Sequence, residues 1–298
     1  MRRLFQIALL ALPLVAQTPS FQTGISLVHV SAEILDNNGR IVGNLSPIDF
    51  RVYDEDREQQ IVAFDSDREP LDLILLFDVS GSMRRHAKNI AAAAHTALRE
   101  LHPGDRVAIM SFAAEMISDS GFTEDLHEVA ASVDRVLNRK ARGGTHIDSS
   151  INDARTRFPR GDRRRAIVII TDNLAPRTLP QMSVIRDLWE ADAILGSLLF
   201  KPRVTPPIQV LGFSNGDIGG VRQIAEMTGG DTLDATDLSL AFPEMLRRIR
   251  NRYSIYYKKP EGTPGATRSI RVRLSPDAAA RFPGAHVRAR RGYVLTAQ

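Results

Sequence analysis

The 298-residue chain contains no cysteine. This absence excludes thiolate metal sites, iron–sulfur clusters, cysteine nucleophiles and a lipid anchor on an N-terminal cysteine. Long apolar runs are also scarce, since no segment after the N-terminus is apolar for long enough to cross a membrane. We therefore expect no transmembrane segment in the mature chain. With 43% hydrophobic and 25% charged residues, the composition also excludes disorder and collagen-like repeats.

The N-terminus has the pattern of an export signal. Arg2 and Arg3 precede an apolar run from Leu4 to Ala16, and polar residues follow that run. As a helix the run would reach only about 20 Å, short of the roughly 30 Å hydrocarbon core of a bilayer. We therefore predict a signal peptide over residues 1–16 and an exported protein that is periplasmic, on the cell surface or extracellular.

Positive charge is concentrated at the other end of the chain. Residues 247–298 hold thirteen Lys or Arg residues against Glu261 and Asp277. Within this segment Arg271 and Arg273 alternate with Ile270, Val272 and Leu274, which is typical of a strand with one solvated face. Because basic surface alone is a weak indicator of nucleic-acid binding, we expect no nucleic-acid partner.

Two flanking segments, residues 22–68 and 253–298, have strand patterns. Turn residues such as Asp36–Gly39 and Pro283–Gly284 separate their apolar runs. Neither segment is large enough to bury a core alone, so we expect the two to pair into one β-sandwich. The predicted strands are 25–35, 40–42, 49–54, 60–64, 253–257, 269–274 and 287–295.

Between the flanks, residues 70–252 alternate strand and helix patterns. Leu71–Phe77 and Ala166–Thr171 are nearly continuous apolar runs, as expected for parallel strands buried on both faces. Met116–Phe122 is predicted as an antiparallel edge strand, and a late helix is expected from Ile218 to Met227. This alternation predicts a doubly wound, Rossmann-like α/β domain.

Oxygen-bearing side chains follow the ends of the two buried strands. The first strand leads into Asp78-x-Ser80-x-Ser82, the second into Asp172, and Gly143-Gly144-Thr145 opens a helix. In open α/β sheets, ligands bind at the carboxyl edge of the strands, so we expect these oxygens to converge there. Hard oxygen donors without His or Cys suit Mg²⁺, with Mn²⁺ or Ca²⁺ as competitors.

Each piece of this pattern also has a simpler explanation. Ser80 or Ser82 could cap the helix predicted to begin at Met83, because serine is a common N-cap residue. Asp172 could be an ordinary turn residue. Gly143-Gly144-Thr145 could be a flexible loop with a helix cap.

Taken in order, the five positions resemble the metal-ion-dependent adhesion site of von Willebrand factor type A (VWA) domains. The resemblance spans about residues 70–252 and implies that Ser80, Ser82 and Thr145 contact the metal. Asp78 and Asp172 would act through water. It further implies a non-enzymatic, adhesion-type module whose metal captures a Glu or Asp side chain of a protein partner.

The flanks carry a second resemblance. The D-F-x-V-x-E/D-x element at Asp49–Asp56 and the R-x-G-Y element at Arg290–Tyr293 are similar to those of the VWA-related family of Acidobacteria.

Two other classes of function remain open, an enzyme and a structural module. A serine hydrolase could use Ser80 or Ser82 with a nearby His and Asp172, but the segment lacks the second glycine of a G-x-S-x-G nucleophile elbow. A phosphotransferase using Asp78 would need a second acidic residue where Ser80 stands. The other alternative is a structural cell-envelope assembly module with no metal-dependent ligand.

Overall fold

The chain folds into a central α/β unit flanked by two small antiparallel sheets. The structure is a computed structural model that describes residues 26–66, 69–139, 144–175, 178–201 and 219–296. The central sheet has six strands in the order β10-β9-β8-β5-β6-β7, parallel except for β7. Its strands are β5 (Leu71–Asp78), β6 (Arg106–Phe112), β7 (Met116–Ser118), β8 (Arg164–Thr171), β9 (Ala193–Leu199) and β10 (Thr232–Asp234).

Strand β5 lies in the middle of this sheet and is buried along its whole length. Leu73 and Leu75 point into the core on one face, whereas Ile74 and Leu76 point into the core on the other. A strand with two buried faces requires apolar residues at successive positions, which explains the continuous run in the sequence. The carboxyl end of β5 is thereby fixed at the centre of one sheet edge.

Helices cover both faces of the central sheet. Helices α1, α2 and α6 pack on one face, and α3, α4 and α5 pack on the other. This three-layer arrangement confirms the predicted doubly wound α/β architecture. The helices are α1 (Ala87–Ala97), α2 (Leu126–Leu137), α3 (Ile147–Arg155), α4 (Gln181–Glu190), α5 (Val221–Thr228) and α6 (Leu238–Arg250).

The two flanks of the chain form the remaining sheets together, as predicted. Their orders are β13-β1-β11-β4 and β14-β12-β2-β3, so N-terminal strands pair with C-terminal strands in both. The two sheets pack around one shared apolar core. Their strands are β1 (Leu27–Leu35), β2 (Phe50–Asp54), β3 (Arg57–Gln59), β4 (Ile61–Ser66), β11 (Tyr253–Lys258), β12 (Thr267–Leu274), β13 (His286–Ala289) and β14 (Gly292–Val294).

A buried carboxylate joins these two sheets. Asp54 on β2 accepts hydrogen bonds from the hydroxyls of Tyr257 and Tyr293, each at 2.8 Å. The Arg268 guanidinium lies 2.6 Å from its other oxygen. Because Tyr257 belongs to one sheet and Tyr293 and Arg268 to the other, Asp54 connects both halves of the sandwich. Asp54 is the second acidic position of the first flank motif, and Tyr293 is the last residue of the second.

Strand β12 confirms the predicted alternation. Ile270 and Val272 are buried, whereas Arg271 and Arg273 are exposed. The prediction of one strand over Val287–Leu295 is wrong, because β13 and β14 belong to different sheets. Between them, the Arg291 N–H donates to the carbonyl of Met227 and its carbonyl accepts from Ile270, so the chain crosses from one sheet to the other.

Three smaller predictions also differ from the structure. The predicted strand 40–42 is only an isolated bridge between Leu35 and Ile41. Strand β7 ends at Ser118, because the next two N–H groups both donate to the carbonyl of Ile109 and form a bulge. A helix that was not predicted, α7 (Pro276–Arg281), begins after Ser275, whose side chain accepts from the Ala278 N–H.

Ile25 and Ile218, where a strand and a helix were predicted to begin, lie outside the described residues. Among the helices of the described ranges, none combines the length and the apolar character needed to cross a bilayer.

We predict that Asp54→Asn destabilises the protein by about 1–3 kcal/mol, since the half-buried Arg268 and two buried tyrosine hydroxyls lose a charged acceptor. Urea unfolding followed by circular dichroism measures this change. The matched control is Asp56→Asn, because Asp56 keeps 80% of its side-chain surface exposed while it pairs with Arg271. A surface pair contributes about 0–1 kcal/mol. Equal losses in both variants would contradict a linking role for Asp54.

Candidate metal-binding edge

Asp78 is the most buried of the site residues predicted from the sequence. It ends β5 with 1% of its surface exposed. One carboxylate oxygen accepts the Ser80 N–H at 2.9 Å, and the other accepts the Thr171 hydroxyl at 2.6 Å. Burial raises the pKa of Asp78, hydrogen bonds from Ser80 and Thr171 oppose that rise, and the nearby charge of Asp172 adds to it. The carboxylate therefore sits where additional positive charge would stabilise it.

The two serines lie directly beside Asp78. Ser80 is buried and Ser82 is exposed, and their hydroxyl oxygens are 3.3 Å apart. Neither caps a helix: the single 3₁₀ turn that follows begins after Met83 and α1 begins after His86, both without a side-chain cap. The helix-capping explanation for these serines is therefore wrong.

Asp172 follows β8, the strand that pairs with β5. Its carboxylate accepts the Leu174 N–H at 3.3 Å. The next residue, Asn173, has a φ of 58°, a left-handed conformation that asparagine tolerates better than most residues. Its N–H donates to the Thr171 hydroxyl at 3.1 Å, and that hydroxyl donates to Asp78. The Asp78 and Asp172 loops are thus held together through Thr171.

Gly219 packs closely against the Asp172 loop. Its N–H donates to the carbonyl of Asn173 at 3.2 Å. A Cβ atom at this position would lie 2.3 Å from the Asn173 Oδ1 and 2.8 Å from the Ile147 Cδ1. Only glycine fits this approach without movement of its neighbours.

Thr145 lies on a third loop at the same edge. The N–H of the next residue, His146, donates to the carbonyl of Ala113 at 3.1 Å, immediately after β6 ends. The Asp78 loop contacts the same strand end, because the Val79 N–H donates to the carbonyl of Phe112 at 2.9 Å. Thr145 itself is half-buried and Gly144 is exposed, whereas Gly143 lies outside the described residues.

Arg139 anchors the beginning of the loop that leads to Thr145. Its guanidinium lies 2.5 Å from a carboxylate oxygen of Asp119 and donates to the Ser111 hydroxyl near the end of β6. The Ser111 hydroxyl in turn donates to Asp119 at 2.7 Å. Ion pairing and hydrogen bonding therefore hold both sides of this loop against the same strand.

The donors gathered here are hydroxyls and carboxylates. Asp78, Ser80, Ser82 and Asp172 lie on two adjacent loops, and the Thr145 loop lies against the neighbouring strand end. In the described part of the chain, no group of three His, Cys, Asp or Glu side chains is placed to hold a metal. The predicted site has only two carboxylates, and its other donors are hydroxyls, so it does not form a group of that kind. Its oxygens are nevertheless the donors that hard divalent cations prefer.

Sequence reasoning did not identify Thr171 as a functional residue. The sequence feature that could have pointed to Thr171 is its hydroxyl at the last position of a buried strand, next to Asp172. Its partner Asp78 is 93 positions away in the sequence, and only the pairing of β5 with β8 brings the two residues together.

One Ser–His–Asp arrangement occurs away from this edge. His29 Nδ1 lies 2.6 Å from Asp192 Oδ2, and His29 Nε2 lies 3.2 Å from Ser254 Oγ. Ser254 is only 2% exposed and donates to Glu69 at 2.5 Å, and the adjoining cavity has a volume of about 20 Å³. A substrate carbonyl cannot reach that hydroxyl. These three residues therefore have the distances of a hydrolase triad but no access for a substrate.

Comparison with known proteins finds a family that the central unit resembles. Residues 73–174 match the family model described as the von Willebrand factor type A domain. Over this third of the chain, the central unit is therefore similar to von Willebrand factor type A domains. No curated protein matches the sequence.

Several solved structures are similar to this chain at low sequence identity. A von Willebrand factor type A protein from Catenulispora acidiphila is 14% identical with a TM-score of 0.50, covering 93% of this chain and 76% of that chain. Proximal thread matrix protein 1 from the mussel byssus, with a zinc-occupied MIDAS motif, is 15% identical with a TM-score of 0.52, covering 66% and 50%. BatB from Bacteroides thetaiotaomicron is 18% identical with a TM-score of 0.49, covering 60% and 97%.

We predict that Thr171→Val destabilises the protein by about 1–3 kcal/mol, because the buried Asp78 carboxylate loses a hydrogen-bond donor while the side-chain volume is kept. Chemical denaturation without added metal measures the loss. Thr96→Val on the exposed surface of α1 is the matched control, expected to stay within about 0.5 kcal/mol. An unchanged free energy of unfolding in Thr171→Val would show that the link through Thr171 is not needed.

Proposed function

We propose that this protein is an exported, metal-dependent binding module. A divalent cation at the carboxyl edge of the central sheet would capture a Glu or Asp side chain of a partner protein. The observation that carries this proposal is the convergence of Asp78, Ser80, Ser82 and Asp172 on two loops that hydrogen-bond to each other. The Thr145 loop lies against the adjacent strand end.

The donor set fits a hard cation. Ser80, Ser82 and Thr145 would contact the metal directly, and Asp78 and Asp172 would act through water. The hydrogen bonds that both Asp78 oxygens already accept within the protein support an indirect role for that carboxylate. Mg²⁺ is the expected ion, with Mn²⁺ or Ca²⁺ as competitors. Zinc prefers nitrogen and sulfur ligands, which these five residues lack.

The chemistry supplied by a bound cation is the attraction of a carboxylate. Neutral hydroxyls neutralise none of the ion's charge, and the two nearby carboxylates neutralise it only in part, so a carboxylate from outside is a favourable further ligand. The protein holds its own oxygens in place through Thr171 and the Ser80 N–H. No bond is broken in this event, and the product is an adhesive contact.

The proposal also includes export of the protein, a role for each part of the chain and a place in a protein family. Residues 1–16 would direct export and be removed, which cell fractionation and the mass of the mature protein test. Residues 70–252 would form the binding domain, and residues 22–68 and 253–298 its supporting sandwich. The contact between Asp54 and Tyr293, one residue from each flank motif, supports a place among the VWA-related proteins of Acidobacteria.

Isothermal titration calorimetry with Mg²⁺ tests the metal site. We expect saturable binding by the wild-type protein and an affinity at least tenfold lower in Asp78→Ala, because removal of a residue that orients metal ligands typically costs 10–100-fold. Asp134→Ala is the matched control, since Asp134 is half-exposed and pairs with His95 on the surface.

Equal affinity in wild type and Asp78→Ala would refute the site. The absence of binding by the wild type would favour the alternative of a structural envelope module without a metal-dependent ligand.

A pull-down from cell-envelope extract tests partner capture. In Mg²⁺ we expect the wild-type protein to retain a partner that a chelator releases and that Asp78→Ala does not retain. Both responses are required, because nonspecific adsorption survives the chelator. A partner that stays bound in the chelator and also binds Asp78→Ala would contradict capture through a metal.

A further inference from the structure

Asp148 ties two parts of the candidate edge together. It lies in the first turn of α3, three residues after Thr145, and is 2% exposed. Its carboxylate accepts the Thr178 N–H at 2.5 Å, the Thr178 hydroxyl at 2.8 Å and the Leu179 N–H. The first turn of the helix that follows Thr145 is thus bound to the segment that follows Asp172.

The carboxylate is charged in this setting. Burial alone would raise the pKa of Asp148, but hydrogen bonds from Leu179, Thr178 and Ser149 hold that pKa below its ordinary value. Hydrogen bonds to a charged acceptor are about twice as strong as those between neutral groups. Four donors on one buried carboxylate therefore form a stiff connection.

An ordinary helix-terminal role does not account for these contacts. An acidic residue in the first turn commonly stabilises its own helix by interacting with free N–H groups there. Asp148 accepts only the Ser149 N–H from its own helix, at 2.9 Å. Its other three donors come from Thr178 and Leu179, about thirty positions away, so the side chain joins two loops.

The joined loops are the ones that carry Thr145 and Asp172. At its other end the Asp172 loop is fixed by Thr171 and Gly219, and the Thr145 loop is fixed by the contact of His146 with Ala113. Asp148 adds a direct hydrogen-bonded connection between the start of α3 and the segment after Asp172. Without it, each loop would keep its own anchor but lose these hydrogen bonds to the other.

We propose that Asp148 is a positioning residue that sets the separation of Thr145 and Asp172, so that metal affinity depends on a side chain that does not touch the metal. This inference rests on the proposed function, because it concerns the same site. It adds a residue that the sequence motif does not contain.

The test is Mg²⁺ calorimetry on Asp148→Asn. Asparagine keeps the shape of the side chain but turns an NH₂ group toward a donor, so one attractive contact becomes repulsive. We expect Mg²⁺ affinity to fall roughly tenfold or more at a temperature where the variant is folded by circular dichroism. The milder variant Thr178→Val removes one donor from an exposed residue and should lower the affinity by a smaller factor.

Asp49→Asn is the matched control. Asp49 is also a buried carboxylate with hydrogen bonds from the Ser46 N–H and hydroxyl and an ion pair with Arg281, but it belongs to the flanking sandwich. We expect Asp49→Asn to lower stability and to leave Mg²⁺ affinity unchanged.

The outcomes separate this inference from the proposed function. If the wild type binds Mg²⁺ and folded Asp148→Asn binds it equally well, the positioning role is overturned and the metal site stands. If Asp49→Asn loses as much affinity as Asp148→Asn, the effect is general destabilisation and the inference fails. If Asp148→Asn does not fold, unchanged affinity in Thr178→Val overturns the inference. If the wild type binds no Mg²⁺, the proposed function itself falls.

Discussion

The burial of β5 on both faces is the constraint on which the candidate site depends. Because helices cover both sides of the strand, its parallel neighbours β6 and β8 are locked beside it, and their carboxyl ends meet at one edge. Asp78 is the last residue of β5 and cannot reach bulk water. A buried carboxylate needs donors, and the Ser80 N–H and the Thr171 hydroxyl supply them. The need of the buried Asp78 carboxylate for hydrogen-bond donors therefore fixes the positions of Ser80 and Thr171 beside it.

A second buried carboxylate plays the corresponding part in the flanking sandwich. Asp54 gathers two tyrosine hydroxyls and one arginine from strands at the opposite end of the sequence. Neither flank has enough apolar surface to fold alone, and their shared core forms only when both ends of the chain meet. Arg290 then joins this sandwich to the central unit, since it pairs with Asp192 at 3.0 Å and donates to the carbonyl of His29.

Exposure distinguishes the candidate site from the other polar clusters. The Ser254–His29–Asp192 arrangement has the distances of a catalytic relay, yet its hydroxyl is sealed and already donates to Glu69. At the sheet edge, by contrast, Ser82 and Gly144 are exposed and Thr145 is half-buried. A group from outside the protein can approach the oxygens at the sheet edge, whereas the Ser254 hydroxyl is closed to it.

Local patterns in the sequence determined the central strands, the alternation in β12 and the order of the oxygen-bearing residues. A strand buried on both faces needs a continuous apolar run, and a strand buried on one face needs apolar residues at alternate positions. The sequence of α7 also carries a helix-start signal, a serine followed by a proline. Only the tertiary structure decided that Val287–Leu295 divides between two sheets. It likewise decided that Thr171 serves Asp78 and that Asp148 binds Thr178. These three features depend on residues that are distant in the chain. Hydrogen bonds between such residues produce no repeating pattern in the sequence from which they could be predicted.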